Sequence, residues 1–491
     1  MATSIRRRSG VDPHGKTAWH GLAWPLLCGL GVALALTVGW VGYTASDDAA
    51  YYDAALRWLT HPPYAGEDHW ATRFPLVLSL AGVIALLGKG ATAMNATALI
   101  WYGLFLAAVR WLAGSIAGGR AGWIATLLMA TMPVVVANAT TVSCDPVEAV
   151  FLILGIGLLG DVASGREGWR PAAAGFAFGG AILCRETSAL ALFGLVPLFL
   201  AGRPVRRRAL IVVGLACAGV LIAEAAFQFV LTGDPLHRWT LAFHHDAHMD
   251  RAANLEGNLL LWPPIDPLLV LLVNDDFALI FWLAIGALAG RFHRKLDREG
   301  RRRMVILAVC ALATFLLVGG LSTQLVLNPR YFLLPALAAA IVVAAWLDGL
   351  RPGRRAALLG VALSANLLML SVENRHPRWP AESLVEAAAR HPARWIATDA
   401  ETLHRARNPL AWRGLGHVMA MPPRPGGLVF LPEAALSPGW RVVEHYPSPA
   451  TPLGTVLGDL GLGRRLPPRL ARRLLAPDPA MVLAERAPPL M

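Results

Sequence analysis

The sequence predicts a polytopic α-helical membrane protein of about eleven spans, ending in a small extracytoplasmic α/β domain. Three observations predict it. Of 491 residues, 56% are hydrophobic and only 15% are charged, against about a quarter charged in water-soluble chains. Apolar segments recur along most of the chain. Lys and Arg favour alternate loops between those segments, as the positive-inside rule requires. A large soluble core is thereby excluded. The formal charge of +12 does not point to a nucleic acid partner, because the basic residues form short clusters between apolar segments.

The apolar segments are 21–43, 92–112, 121–138, 147–163, 171–184, 188–201, 209–231, 268–289, 304–321, 332–348 and 356–373. Most approach the ~20 residues needed to cross a bilayer; 171–184 and 188–201 are short and read as a bent pair. Residues 1–20 read as a cytoplasmic N-terminus. The basic start and following apolar stretch resemble a signal peptide. Tyr43, however, stands three residues before a cut after Ala45, where a small residue is preferred, so the segment reads as an uncleaved anchor.

Arg73 to Gly88 is apolar but only 16 residues long. Charge decides its place. With this segment on the outer surface, the inner loops hold 22 Lys and Arg and the outer loops 7, the other 15 lying beyond residue 373. If it crossed, every later loop would change sides and the bias would invert. It is therefore a juxtamembrane or re-entrant helix in an outer loop, 44–91. Residues 21–373 make the transmembrane domain. Residues 374–491 stay outside, in an inner (plasma) membrane protein.

The tail has no span. Residues 394–399, 427–431 and 480–484 read as strands, Glu382 to Arg390 and Asp399 to Arg407 as helices. Its last part, with Pro467, Pro468, Pro477 and Pro479, reads as loop. The five cysteines, four of them inside apolar segments, give neither a disulfide framework nor a zinc pattern. No internal repeat is visible.

The outer surface collects the unusual residues. Asp47-Asp48 follows the first span. An acidic pair there is costly to desolvate and gains nothing from a bilayer. It points to chemistry outside the membrane, or to a solvated helix N-cap. The same side carries His69 and Arg73, Asp145, Arg185-Glu186-Thr187, the histidines and acids of 232–267, and Arg330-Tyr331. Within the spans, Glu224 must face a cavity, be protonated or be paired. Asp275-Asp276 lie within 268–289 or cap a span beginning near Phe277.

In their order and shared sidedness these motifs resemble the GT-C glycosyltransferases that use polyprenyl-phosphate sugars. The resemblance is to bacterial relatives of protein O-mannosyltransferases and lipid A aminoarabinose transferases, and it covers about residues 20–375. In that family one span is followed by Asp-(Asp/Glu)-Ala-x-Tyr, here Asp47-Asp48-Ala49-Ala50-Tyr51. Arg73-Phe74-Pro75-Leu76 matches its juxtamembrane segment and Asp145 its second acid. Arg185-Glu186-Thr187 opens a later short span, with Arg where many relatives carry Lys. Arg330-Tyr331 precedes a Pro-containing span.

The resemblance implies transfer of a sugar, hexosyl or pentosyl, from a polyprenyl-phosphate donor to a hydroxyl of a glycan, lipid or protein acceptor. The acceptor needs a general base, and a carboxylate in a partly buried loop can serve. The family's base matches Asp47; Asp48 then orients it or holds the acceptor. The leaving phosphate needs cations, and Arg grips phosphate in a fork that Lys cannot. Arg330 and Arg185 are the candidates, with Arg73 and His69 behind them; Tyr331 and Glu186 belong to the same substrate-binding motifs. Arg73 and His69 also suit interfacial anchors. Asp145 can hydrogen-bond the acceptor, bind a divalent metal ion together with Asp47, or cap the helix ahead of Pro146. The histidines at 244–248 read as solvated.

Two rivals stand against this reading. A lipid or polyisoprenoid transporter would couple through charges near the midplane, and a silent relative would only scaffold envelope assembly. The charge bias makes a first prediction. A cysteine placed by Ala400→Cys is labelled by an impermeant thiol reagent on intact cells. Labelling only after permeabilisation contradicts the topology.

Overall fold

A backbone in lipid must satisfy its own hydrogen bonds, so apolar runs of this length become helices. A computed structural model describes residues 16–245, 261–262, 264–290, 296–321, 327–373 and 378–486. The basic residues of 1–15, Arg291, Arg294 and Lys295, and Asp246, His248 and Asp250 of the long loop lie outside the described residues. All eleven apolar segments are helical. They are α1 (Lys16–Gly39), α4 (Ala91–Ala117), α5 and α6 (Gly119–Thr131, Pro133–Ala139), α7 (Cys144–Ala163), α8 (Arg170–Cys184), α9 and α10 (Ala189–Leu192, Leu195–Ala201), α11 (Arg207–Thr232), α13 and α14 (Asp266–Val273, Ile280–Ala289), α15 (Arg298–Gly320), α16 (Leu333–Asp348) and α17 (Pro352–Glu373). The outer loop supplies α2 (Asp47–Thr60) and α3 (Phe74–Leu87), and α12 (His237–His245) follows α11.

The protein is a multi-span membrane protein, but the expected count of about eleven is not reached by length. Among the described residues six helices are long and apolar enough to cross, or seven if the bent pair α5/α6 is one span. The described apolar part of α1 is short, and so is α8. The 188–201 segment is split into α9 and α10. The 268–289 segment breaks between Val273 and Ile280, where Asp275–Phe277 form a 3-10 turn and Asn274 accepts from the Asp276 amide.

Two features shape the bundle around the site. The residue before a proline is pushed out of the helical region, and Met132, before Pro133, is extended (ψ 128°). The chain turns there by 68°. This brings Thr140 under the end of the first span, where its carbonyl accepts from Gly42 N at 3.0 Å. The second feature is a small-residue seam. Gly175 and Gly179 of α8 face α11, and a Cβ at Gly175 would stand 2.4 Å from the Val213 carbonyl oxygen. Those two helices therefore meet backbone to backbone. Between α7 and α8, Gly155 faces Phe178 and Gly180 faces Phe151, so α8 packs closely on α7 and ends with Arg185 beside its start.

The tail folds as a five-stranded sheet of order β2-β1-β3-β5-β4. The strands are β1 (Ile396–Thr398), β2 (Val418–Ala420), β3 (Leu428–Pro432), β4 (Trp440–Tyr446) and β5 (Met481–Arg486). β1 runs parallel to β2 and β3, whereas β5 is antiparallel to β3 and β4. Helices α18 (Trp379–Arg390) and α19 (Ala400–Trp412) cover a core of Leu384, Ile396, Leu428, Phe430 and Leu483. The last part of the tail, expected to be loop-rich, contains the short helix α21 (Pro468–Leu475), and α20 (Pro452–Asp459) precedes it. Prolines at the first turn of each cost nothing, because those amides have no helical partner. The sheet domain docks beside α2: Trp412 Nε1 donates to Tyr52 and Asn408 Nδ2 to Tyr43, each at 2.9 Å, and Arg407 pairs with Asp53 at 2.8 Å.

Candidate active site

The two residues of the acidic pair do different things. Ala45 sits in the left-handed region (φ 57°), a conformation a non-glycine residue adopts only when its surroundings hold it. The turn aims the amides of Thr44 and Ser46 at Asp48, which accepts them at 2.6 and 2.8 Å. Its carboxylate also accepts the hydroxyls of Thr44 and Thr141. Burial pushes the Asp48 carboxyl above the usual range, against the pull of those bonds. Asp48, expected to act in catalysis, therefore clamps the first outer loop to the loop before α7.

Asp47 instead faces Arg330, with Oδ2 3.2 Å from Nη1 and each side chain 28% exposed. Arg330 lies in a 3-10 turn, Pro329–Phe332, capped by Asn328, whose side chain accepts the Arg330 amide. Arg330 Nε is buried without a hydrogen-bond partner. Tyr331 lies between two guanidinium groups, its ring 6.0 Å from that of Arg330 and 5.1 Å from that of Arg185.

Arg185 ends α8 and is buried. Its Nη1 is 2.6 Å from Asp145 and 3.3 Å from Glu148, and Nη2 is 3.1 Å from Cys144 Sγ. Asp145 does not cap its helix; Ser143 does, accepting the Asp145 amide and donating its hydroxyl to Asp145 Oδ2. The other expected residues sit further back. Arg73 is buried against Tyr51 and Cys144, and burial pushes the Tyr51 phenol well above its usual range. Glu186 turns to Arg238, at 2.6 Å. His69 is buried and stacks on Trp70.

Asp47, Arg330, Tyr331, Arg185 and Asp145 thus converge, whereas Asp48, Arg73, Glu186 and His69 surround them. Asp145 and Asp47, the two acids read as a candidate metal pair, each meet a guanidinium, that of Arg185 and of Arg330. Among the described residues no group of three or more His, Cys, Asp or Glu is placed to hold a metal.

Three residues of the cluster escaped the sequence reading. Glu148, bound by Ser188 at 2.6 Å, stands one helical turn from Asp145, and that spacing was a usable signal. Arg238, fully buried, donates to the carbonyls of Thr72 and Ile182. It holds Glu186 beside Arg185, and Glu224 of α11 is buried next to it and Gln228. Nothing in a loop rich in histidines marks that arginine. Cys144, read as a loop thiol, is packed between Arg73 and Arg185.

A pocket opens at this cluster and runs into the bundle. Asp145, Glu148, Arg185 and Arg330 line its polar end, and Leu152, Ile153, Val318, Leu334 and Leu337 its apolar end.

This architecture has solved counterparts. It superposes on the ArnT of Cupriavidus metallidurans bound to undecaprenyl phosphate with a TM-score of 0.59, at 13% identity over 87% of this chain and 96% of that one. The apo ArnT gives 0.56, at 14% identity over 87% and 97%. The chain has the GT-C fold. The Archaeoglobus fulgidus oligosaccharyltransferase tethered to an acceptor peptide gives 0.51, at 13% identity over 82% of this chain and 64% of that one. Residues 74–231 match the dolichyl-phosphate-mannose-protein mannosyltransferase family. No curated protein sequence matches the chain.

The Asp48 clamp yields a prediction. Asparagine keeps the shape but turns one acceptor oxygen into a donor that faces donors. Leaving such groups unpaired costs about 1–3 kcal/mol. Asp48→Asn therefore melts measurably lower than wild type, whereas Asp47→Asn melts close to it. Equal melting of the two variants in detergent contradicts the division of roles.

Proposed function

We propose that the chain is an integral membrane glycosyltransferase that moves a sugar from a polyprenyl-phosphate donor to an acceptor hydroxyl on the outer face of the inner membrane. One observation carries the reading: a pocket with two arginines at a polar mouth and an apolar interior. An isoprenoid phosphate has that division of chemistry. The ArnT fold, with its bound undecaprenyl phosphate in that relative, supports the same class. The sugar, hexosyl or pentosyl, is left open by these features.

In this reading Arg330 and Arg185 grip the donor phosphate. Arg330 Nε, buried with no partner, is free to donate to it. Asp47 takes the proton from the acceptor hydroxyl as the glycosidic bond breaks. Arg330 holds the Asp47 carboxylate in place beside the phosphate site, and preorganised charge of this kind acts without further rearrangement. Asp145 and Glu148 fix Arg185, so its charge needs no reorganisation when the phosphate leaves. The N-terminus lies in the cytoplasm, and residues 374–491 lie outside as the acceptor-side domain. A coupled transporter is disfavoured because the clusters of ionisable residues lie toward the ends of the bundle and not at its midplane.

A positioned general base contributes about 10²–10⁴-fold. With a panel of polyprenyl-phosphate sugars and release of polyprenyl phosphate as the readout, Asp47→Asn is slower by that factor while its melting temperature and lipid binding hold. Wild-type turnover in this variant removes Asp47 as the base.

A further inference from the structure

The helix that starts at Asp145 also ends at a second site. α7 has 20 residues, so its two ends are about 30 Å apart. At the far end a groove lies between the end of α7, the end of α10 and the start of α15, open to solvent and holding about 1470 Å³ between and above its walls. Its rim carries Arg203, Arg206, Arg298, Arg301 and Arg302, with Glu167 the one acid among the lining residues.

The charge there is not balanced locally. Segments 161–170, 203–208 and 297–303 hold ten arginines against Asp161, Glu167, Asp297 and Glu299. Each of those acids is already engaged. Asp161 pairs with Arg166, Arg170 and Arg303, and Glu299 with Arg166 and Arg303. Glu167 pairs with Arg206 at 3.2 Å, and Asp297 caps α15 through the Gly300 amide. Among the described residues no carboxylate pairs with Arg203, Arg298 or Arg301. Arg302, held on the Ala163 carbonyl at 3.0 Å, closes the floor.

One wall of the groove is apolar. Pro197, Leu198 and Ala201 of α10 and Val305 of α15 line it. It continues onto the outer face of α10, where Val196 and Leu200 are 50% and 67% exposed on a helix of the membrane domain. A ligand here must present an anion to the arginines and hydrocarbon to that wall. A free phosphate has no use for the wall, and a soluble acidic protein has no use for a lipid-facing helix. Basic pockets between membrane helices recognise anionic headgroups in this manner.

We infer that this groove is a headgroup site for an anionic phospholipid of the leaflet opposite the candidate active site. It shares no lining residue with the donor pocket, and the two hold different lipids at opposite ends of α7. The site therefore stands or falls independently of the glycosyl-transfer reading.

Native mass spectrometry of the full-length protein tests it, with phosphatidylglycerol and phosphatidylcholine as probes. The wild type retains phosphatidylglycerol in preference to phosphatidylcholine. An arginine near a membrane surface contributes about fivefold to anionic-lipid affinity, so Arg298→Gln/Arg301→Gln lowers the preference roughly thirtyfold if the two add. Both positions are exposed, so the variant folds, and an unchanged melting temperature verifies this. Arg351→Gln/Arg354→Gln removes the same charge from exposed positions outside the groove and keeps the preference. Three results overturn the proposal: equal retention of the two lipids by wild type, an equal loss in the control variant, or displacement of the lipid by millimolar inorganic phosphate.

Discussion

The buried pairing of Arg185 with Asp145 is the interaction on which the rest of the site depends. A guanidinium taken out of water is costly unless a carboxylate meets it, and removing one partner of such a pair costs about 3–5 kcal/mol. Here the partners come from different helices. Arg185 closes α8 and Asp145 opens α7, and they meet at 2.6 Å. Close packing of α7 on α8, with Gly155 against Phe178 and Gly180 against Phe151, holds those ends together. Once Arg185 is fixed, Tyr331 lies against it, Arg330 follows on the same 3-10 turn, and Asp47 is drawn to Arg330. Four elements far apart in sequence are tied into one row, with a carboxylate at each end and two guanidinium groups flanking Tyr331 between them.

That row explains how a membrane protein can hold strong charges beside an apolar pocket. Each cation is countered, yet the outermost pair, Asp47 and Arg330, remains partly exposed, at 3.2 Å. In the proposed reaction an incoming phosphate would compete with Asp47 for Arg330, which would couple donor binding to the base through one guanidinium. Asp48 is held apart from that pair by four hydrogen bonds.

Much of this was legible in the sequence, for identifiable reasons. Helices were readable because apolar length and polarity breaks are local properties. Strands β1, β3 and β5 were readable as short apolar runs, whereas β2 and β4 were not. Val418–Ala420 is too short to show a period, and Trp440–Tyr446 alternates polar groups on an edge strand that pairs with β5 alone. Among the described residues fewer helices than apolar segments are long enough to cross, in part because some are broken, at Gly194 and at Asn274–Leu279, and hydropathy averages over a kink. For the site, residue types and order singled out Asp47, Asp145, Arg185 and Arg330, which the fold brings together. Which acid of the pair is free depends on where two loop amides point, and this follows from Ala45's backbone, which sequence does not reveal. Arg238 was missed because its partners are backbone carbonyls of distant loops.

The central claim is that Arg330 is a fork for phosphate and not merely a charge at the membrane surface. A surface anchor tolerates lysine, which can reach the headgroups as well as arginine can; a phosphate fork does not. The direct measurement is the affinity of purified protein for a polyprenyl phosphate, comparing wild type, Arg330→Lys and Arg330→Ala. A charge-assisted hydrogen bond is worth about 1.5–3 kcal/mol. The account predicts binding weakened about tenfold or more in Arg330→Lys and further in Arg330→Ala. Wild-type affinity in Arg330→Lys would contradict it.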